Sequence, residues 1–134
     1  IEKYHCDDAE YILFSMGAIG AESKVAIDNL RSRGIKIGLA RVRTFRPFPA
    51  QEIQNLAKNA DLVVIDRNIS IGYEGALFTE IKAALYGKSD AKVSGFIAGL
   101  GGKDVTFTNI ENICKRAIDG KTKGSTWYGF EGAN

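Results

Sequence analysis

Leu62-Val63-Val64-Ile65-Asp66 places four aliphatic residues in an unbroken row and then a carboxylate. A run this short, with no polar alternation, fits a strand covered on both faces, as in a parallel sheet flanked by helices. Working outward, the same signal recurs upstream at Tyr11–Met16 (YILFSM) and Lys36–Val42 (KIGLARV). Downstream it recurs at Lys92–Ala98 (KVSGFIA), where Gly95 weakens the strand pattern.

Helical periodicity fills the gaps between these runs. Glu22–Arg33 puts Ala26, Ile27 and Leu30 on one face, and Gly34 stops it. A second helix follows Pro49 and runs to about Asn59, with Ile53, Leu56, Ala57 and Ala60 at i, i+3, i+4 and i+7. Gly75–Tyr86 carries Leu77, Ile81, Ala84 and Leu85, and ends at Gly87. Thr108-Asn109-Ile110-Glu111 predicts a capping box opening a last helix with Ile110, Ile113, Cys114, Ala117 and Ile118 inward. Strand–helix alternation predicts an α/β fold with three α/β/α layers and a mostly parallel sheet. Ile1–Cys6 has the length for one edge strand. The organisation expected is one domain over residues 1–120 and a polar, aromatic tail over 121–134, whose Trp127, Tyr128 and Phe130 suggest docking on the domain or a partner.

Composition excludes several functions. The chain has 134 residues and a net charge of +2, without the basic stripe that nucleic-acid binding needs. No apolar run approaches the ~18 residues of a membrane span. Two cysteines, Cys6 and Cys114, and one histidine, His5, make no zinc or iron–sulfur ligand set. The cysteines read as reduced thiols rather than a disulfide. Gly17-Ala18-Ile19-Gly20 offers half a dinucleotide fingerprint, and Gly99-Leu100-Gly101-Gly102 fails its later spacing. Gly87-Lys88-Ser89 and Gly120-Lys121-Thr122 end like P-loops, but Lys82 and Lys115 stand where the required leading glycine should be. No nucleophile–base set is assembled.

The carboxyl ends of the strands hold most of what remains. Open α/β sheets gather ligands and partners there. That edge carries Arg43, Arg46, Asp66, Arg67, Lys103 and Asp104, a mixture of both signs that suits protein docking better than a phosphate.

Three segments give the chain a family likeness. Arg43-Thr44-Phe45-Arg46-Pro47-Phe48-Pro49, the run Leu62 to Gly72 (LVVIDRNISIG) and the run Phe96 to Val105 (FIAGLGGKDV) resemble the α chain of pyruvate:ferredoxin oxidoreductases. Asp8-Ala9-Glu10-Tyr11, Ser15-Met16-Gly17 and Ala83-Ala84-Leu85-Tyr86-Gly87 extend the likeness from Tyr4 to about Asp119. The resemblance implies a domain similar to the C-terminal domain of transketolase, with a five-stranded mixed sheet and one antiparallel edge strand. It implies a cytoplasmic complex that oxidatively decarboxylates pyruvate to acetyl-CoA and passes electrons to ferredoxin. That complex uses thiamine diphosphate, Mg2+, iron–sulfur clusters and coenzyme A. The family's cofactor-activating glutamate belongs to the N-terminal part of the α chain, and its cofactor and metal motif to another subunit. No Gly-Asp-Gly stretch occurs here, so no catalytic, cofactor-binding or metal-binding residue carries over. The expectation is a non-catalytic domain that binds no cofactor itself. Its partners would be the N-terminal part of the same α chain, the other subunits and, through them, ferredoxin. The start at Ile1 suits a fragment. The alternatives are a binding module for coenzyme A or a nucleotide, the same domain from a branched-chain or 2-oxoglutarate enzyme, and a stand-alone enzyme.

Overall fold

The computed structural model describes residues 1–17, 19–67, 74–100, 104–120 and 125–129. Strands β1 (Glu2–Tyr4), β2 (Tyr11–Ser15), β3 (Ile37–Arg41), β4 (Asp61–Asp66), β5 (Val93–Ile97) and β6 (Ser125–Trp127) form one sheet in the order β1-β3-β2-β4-β5-β6. Only β1 is antiparallel to its neighbour, pairing Glu2 with Arg41 and Tyr4 with Leu39. The β2–β3, β2–β4, β4–β5 and β5–β6 pairs are parallel.

Side chains alternate across this sheet because successive strand residues point to opposite faces. Leu13, Leu39, Val63, Ile65 and Phe96 pack under α1 (Ile19–Ser32) and α4 (Phe107–Ile118). Ile12, Phe14, Ala40, Leu62 and Val64 pack under α2 (Ala50–Leu56) and α3 (Ala76–Leu85). The three-layer α/β/α architecture follows from central strands that are buried along nearly their whole length, since both of their faces need cover.

Among the described residues the sheet has six strands where five were expected. The sixth is Ser125–Trp127, inside the segment read as a tail. The topology explains why β6 was hard to foresee. The β2–α1–β3 connection steps towards β1 with its helix on one face. The β3–α2–β4 and β4–α3–β5 connections step the other way with helices on the opposite face, so all three share one hand. The β5–α4–β6 connection steps in the second direction but carries α4 on the α1 face, which gives it the other hand. Parallel crossovers almost always share a single hand, so pattern reasoning disfavours this strand. Tyr128 secures it: its N–H donates to Ile97 O at 2.8 Å and its ring packs into the α1–α4 layer.

Most helix ends shift by a residue or three. The start of α4 differs in kind. Its capping box is Thr106 with Asn109, not Thr108 with Glu111: Asn109 N donates to Thr106 Oγ1 at 3.2 Å, and Thr106 N donates to Asn109 Oδ1 at 3.0 Å. Asn109 accepts where the usual Glu would, which frees Glu111 to face α1. There it pairs with Arg33 at 2.9 Å and accepts from Asn29 at 3.1 Å. Helix α2 ends at Leu56 rather than near Asn59.

Gly95 is the strand glycine with a packing reason. A Cβ added there would lie 2.7 Å from the Phe78 ring of α3. The absent side chain lets that fully buried ring lie flat on β5. Gly95→Ala should therefore lower stability by about 1–3 kcal/mol, the usual cost of overpacking. The check is a urea titration of the isolated chain, expected to show one cooperative transition with a lower midpoint and unchanged slope. An unmoved midpoint would refute the packing role.

Candidate docking edge

The six edge residues do not form one patch. Arg43 lies at the β3 end and binds Glu2 of β1, its Nε donating to Glu2 Oε2 at 3.1 Å. Lys24 of α1 reaches the other oxygen of the same carboxylate at 2.8 Å. The hydrogen bonds from Lys24 and then Arg43 hold the Glu2 carboxyl down at about 2, so it stays charged and pins the antiparallel edge strand in mild acid. Arg46 stands on the opposite flank. Its guanidinium stacks 4.5 Å over the Phe45 ring and pairs with Glu80 of α3 at 2.7 Å. Phe45 and Phe48 meet edge to face at 5.5 Å, giving that flank an aromatic base under an exposed cation.

Asp66 is turned inward. It is only 5% exposed, and its two carboxylate oxygens accept from N–H groups in the first turn of α3, Leu77 N at 2.9 Å and Phe78 N at 3.0 Å. Gly75, the residue before the helix, leaves the space: a Cβ there would collide with the Asp66 carboxylate. Burial pushes this carboxyl above the ordinary aspartate range, while the two N–H bonds pull the other way.

Arg67 and Asp104 are brought together. With Ile19, Glu22, Val105 and Thr106 they line a cavity of about 290 Å³ where the first turns of α1 and α4 meet above the end of β4. Arg67 also donates to Gly99 O at 3.3 Å. Glu22 accepts from Phe107 N at 2.8 Å and so caps α4 from 85 positions away in sequence. Nothing local in the sequence announces that contact. Lys103 lies outside the described residues, as do Gly72, Gly101, Gly102 and Phe130.

Neither thiol is built for chemistry. Cys114 is fully buried under α1, and loss of solvation pushes its thiol up to about 12. Cys6 is half-buried on the α2–α3 side, donates to Leu39 O at 3.1 Å and is likewise raised by burial. The two lie on opposite faces of the sheet, so no disulfide can join them. Among the described residues, no group of three His, Cys, Asp or Glu side chains could hold a metal ion, and no helix is long and apolar enough to cross a membrane.

Fold and edge together define a helix-flanked sheet domain whose charged groups are largely spent on its own structure. The family described as pyruvate:ferredoxin oxidoreductase core domain II matches residues 9–110, and the chain belongs to it. It is 45% identical over 132 residues to a pyruvate synthase subunit PorA of Methanothermobacter thermautotrophicus, covering 98% of this chain and 33% of that protein. It is 44% identical over 135 aligned positions to a ketoisovalerate oxidoreductase subunit VorA of Pyrococcus furiosus, covering 96% of this chain and 34% of that one. The chain thus spans about a third of the length of these curated relatives. Among solved structures, the 2-oxoglutarate:ferredoxin oxidoreductase of Magnetococcus marinus shares the fold with a TM-score of 0.63 at 16% identity, over 83% of this chain and 18% of that one. The α chain of a probable 2-oxoacid ferredoxin oxidoreductase of Thermoplasma acidophilum does so with a TM-score of 0.51 at 20% identity, over 88% of this chain and 96% of that one.

The burial of Cys114 has a testable consequence. The folded thiol titrates at about 12 against an ordinary 9.0, so folding holds the proton more tightly. Its contribution to stability is full below pH 9 and is lost as pH rises from there towards 12. In native protein at pH 8, a thiol-specific reagent should leave Cys114 untouched, and two thiols should appear once guanidinium unfolds the chain without reductant. Rapid native labelling of Cys114, or fewer than two thiols after unfolding, would contradict the assignment.

Proposed function

We propose that this chain is a non-catalytic domain of the α subunit of a cytoplasmic 2-oxoacid:ferredoxin oxidoreductase, and that its carboxyl edge docks the rest of that subunit and the neighbouring subunits. The whole enzyme would decarboxylate pyruvate or a close 2-oxoacid oxidatively to its acyl-CoA and reduce ferredoxin. One observation carries the reading. Relatives named for pyruvate and for ketoisovalerate match nearly the whole chain at 45% and 44% identity. A domain that touched the substrate would diverge between a two-carbon and a branched acyl group. Near-equal identity is what a domain remote from the substrate should show.

The donor set supports the same view. Thiamine diphosphate needs a metal–pyrophosphate site and a carboxylate to activate its ring, and iron–sulfur clusters need sets of thiolates. Asp66 is committed to its helix, Glu2 to two cations, and Cys114 to the core. These residues fit neither group, which supports placing the cofactors in other parts of the complex. Arg46 over Phe45 and beside Phe48 has the arginine and aromatic character of interface centres. The cavity shared by Arg67, Asp104 and Glu22 presents charges of both signs, which favours a protein face over a phosphate.

The test is Arg46→Ala with Lys103→Ala. Arg46 is exposed and its ion pair contributes at most about 1 kcal/mol. The isolated domain should therefore keep a near-normal melting temperature, while assembly of the full enzyme weakens. The unmodified isolated chain should show no pyruvate-dependent dye reduction. A double variant that assembles and turns over normally would end the docking claim, and dye reduction by the pure chain would end the non-catalytic one.

A further inference from the structure

Ser15 and Arg41 end the neighbouring parallel strands β2 and β3 and are partners in register. Two positions earlier, Leu13 and Leu39 both pack into the α1–α4 layer. Strand alternation therefore turns Ser15 and Arg41 to that same face, beneath the start of α1. Ser15 is 0% exposed, and its hydroxyl has no hydrogen-bond partner among the described residues. A buried hydroxyl left unpaired is destabilising, and native proteins keep few of them.

Arg41 is placed as unusually. The end of its side chain lies against the bare Cα of Gly20, where an added Cβ would come 2.5 Å from Nε. Its Nη2 donates to Gly17 O at 2.8 Å, the same carbonyl that receives Gly20 N. Arg43 and Arg46 each have a carboxylate, Glu2 and Glu80, whereas Arg41 meets none among the described residues. A helix start carries partial positive charge, so the fourteen-residue α1 opposes a guanidinium there unless an anion joins them. The topology marks the same corner. The connection leaving β2 steps one way and the connection reaching β4 steps the other, so strand order reverses beside the carboxyl end of β2. Open α/β sheets bind ligands at such a reversal.

We propose that this corner binds a phosphate group. The anion sits at the start of α1, where Gly17 and Gly20 leave the backbone bare for close approach. Arg41 turns from the Gly17 carbonyl to the anion, and the Ser15 hydroxyl donates to it, gaining the partner it lacks. The donors are a guanidinium, a hydroxyl and a helix start, and a phosphate can turn an oxygen to each. The corner is distinct from the cavity of Arg67, Asp104 and Glu22, which neither Ser15 nor Arg41 lines and whose two carboxylates would repel a phosphate. The inference therefore goes beyond the docking reading and does not rest on it.

The experiment titrates this chain with inorganic phosphate at pH 7.5, with chloride holding ionic strength constant, and follows the amide NMR signals. Those of Gly17 and Gly20 should shift and saturate with a Kd below about 5 mM. Arg41→Gln should weaken binding about tenfold or more, since it removes a charge-assisted contact. Lys115→Gln, exposed on α4, should leave it unchanged. Ser15→Ala separates binding from structure. It should raise the melting temperature, because an unpaired buried hydroxyl is gone, and still weaken phosphate about fivefold. A hydroxyl with a purely structural role would leave the Kd unmoved. Adenosine monophosphate identifies the source: tighter binding than phosphate assigns the site to a nucleotide-like ligand, and no gain assigns it to free phosphate. Three results overturn the inference: no saturable shift at Gly17 and Gly20, a shift that survives Arg41→Gln, or a Ser15→Ala chain that binds phosphate like the unmodified one. None of them touches the docking reading, whose test uses Arg46 and Lys103.

Discussion

The Asp66 carboxylate, buried at the end of β4, receives two N–H groups from the first turn of α3, and much of the domain depends on that contact. A helix begins with unpaired donors and a partial positive charge, so a carboxylate there satisfies both at once. Gly75 is the complementary condition, since any larger residue would strike the carboxylate. Ten residues of α3 then carry Phe78 onto Gly95 and Ile81 and Leu85 into the core. Two missing side chains and one buried charge thus fix how one helix sits on the central strands. The aspartate that closes the LVVID run is structural for this reason, although its place at the sheet edge suggests a site.

The same economy governs the rest of the edge. Arg43 is tied to β1 through Glu2, and Arg46 to α3 through Glu80. Glu22 binds α1 to the start of α4. Charges that look available in the sequence are partly used to join elements, leaving an aromatic flank at Phe45 and Phe48 and the small cavity of Arg67 and Asp104. Such a surface offers shape and mixed charge rather than a reactive group.

Much of this fold was legible because the buried runs Tyr11–Ser15, Ile37–Arg41, Asp61–Asp66 and Val93–Ile97 are short and rich in hydrophobic residues. The antiparallel edge strand was legible too. What escaped was non-local. Strand β6 depends on a crossover of the unusual hand and on Tyr128 finding its place by α4. The α4 cap was displaced because Asn109 does the work usually assigned to Glu, and Glu111 had a better partner in Arg33. The inward turn of Asp66 could have been suspected from Gly75 opening the next helix, but only with the strand-to-helix geometry in hand. Helical spacing puts Tyr86 with Lys82 and Thr79, off the face of Leu77, Ile81 and Leu85, but nothing in the sequence said how far its ring stands out.

The central claim is that this domain supports assembly without taking part in chemistry. The most direct measurement is complementation of the full enzyme, with the subunit lacking residues 1–134 purified alongside its partner subunits. Assembly is followed by sedimentation and activity by pyruvate-dependent ferredoxin reduction. The account predicts a truncated complex that fails to reach full mass and activity, and that recovers both when this chain is supplied separately. A truncated complex with full mass and undiminished turnover would contradict it.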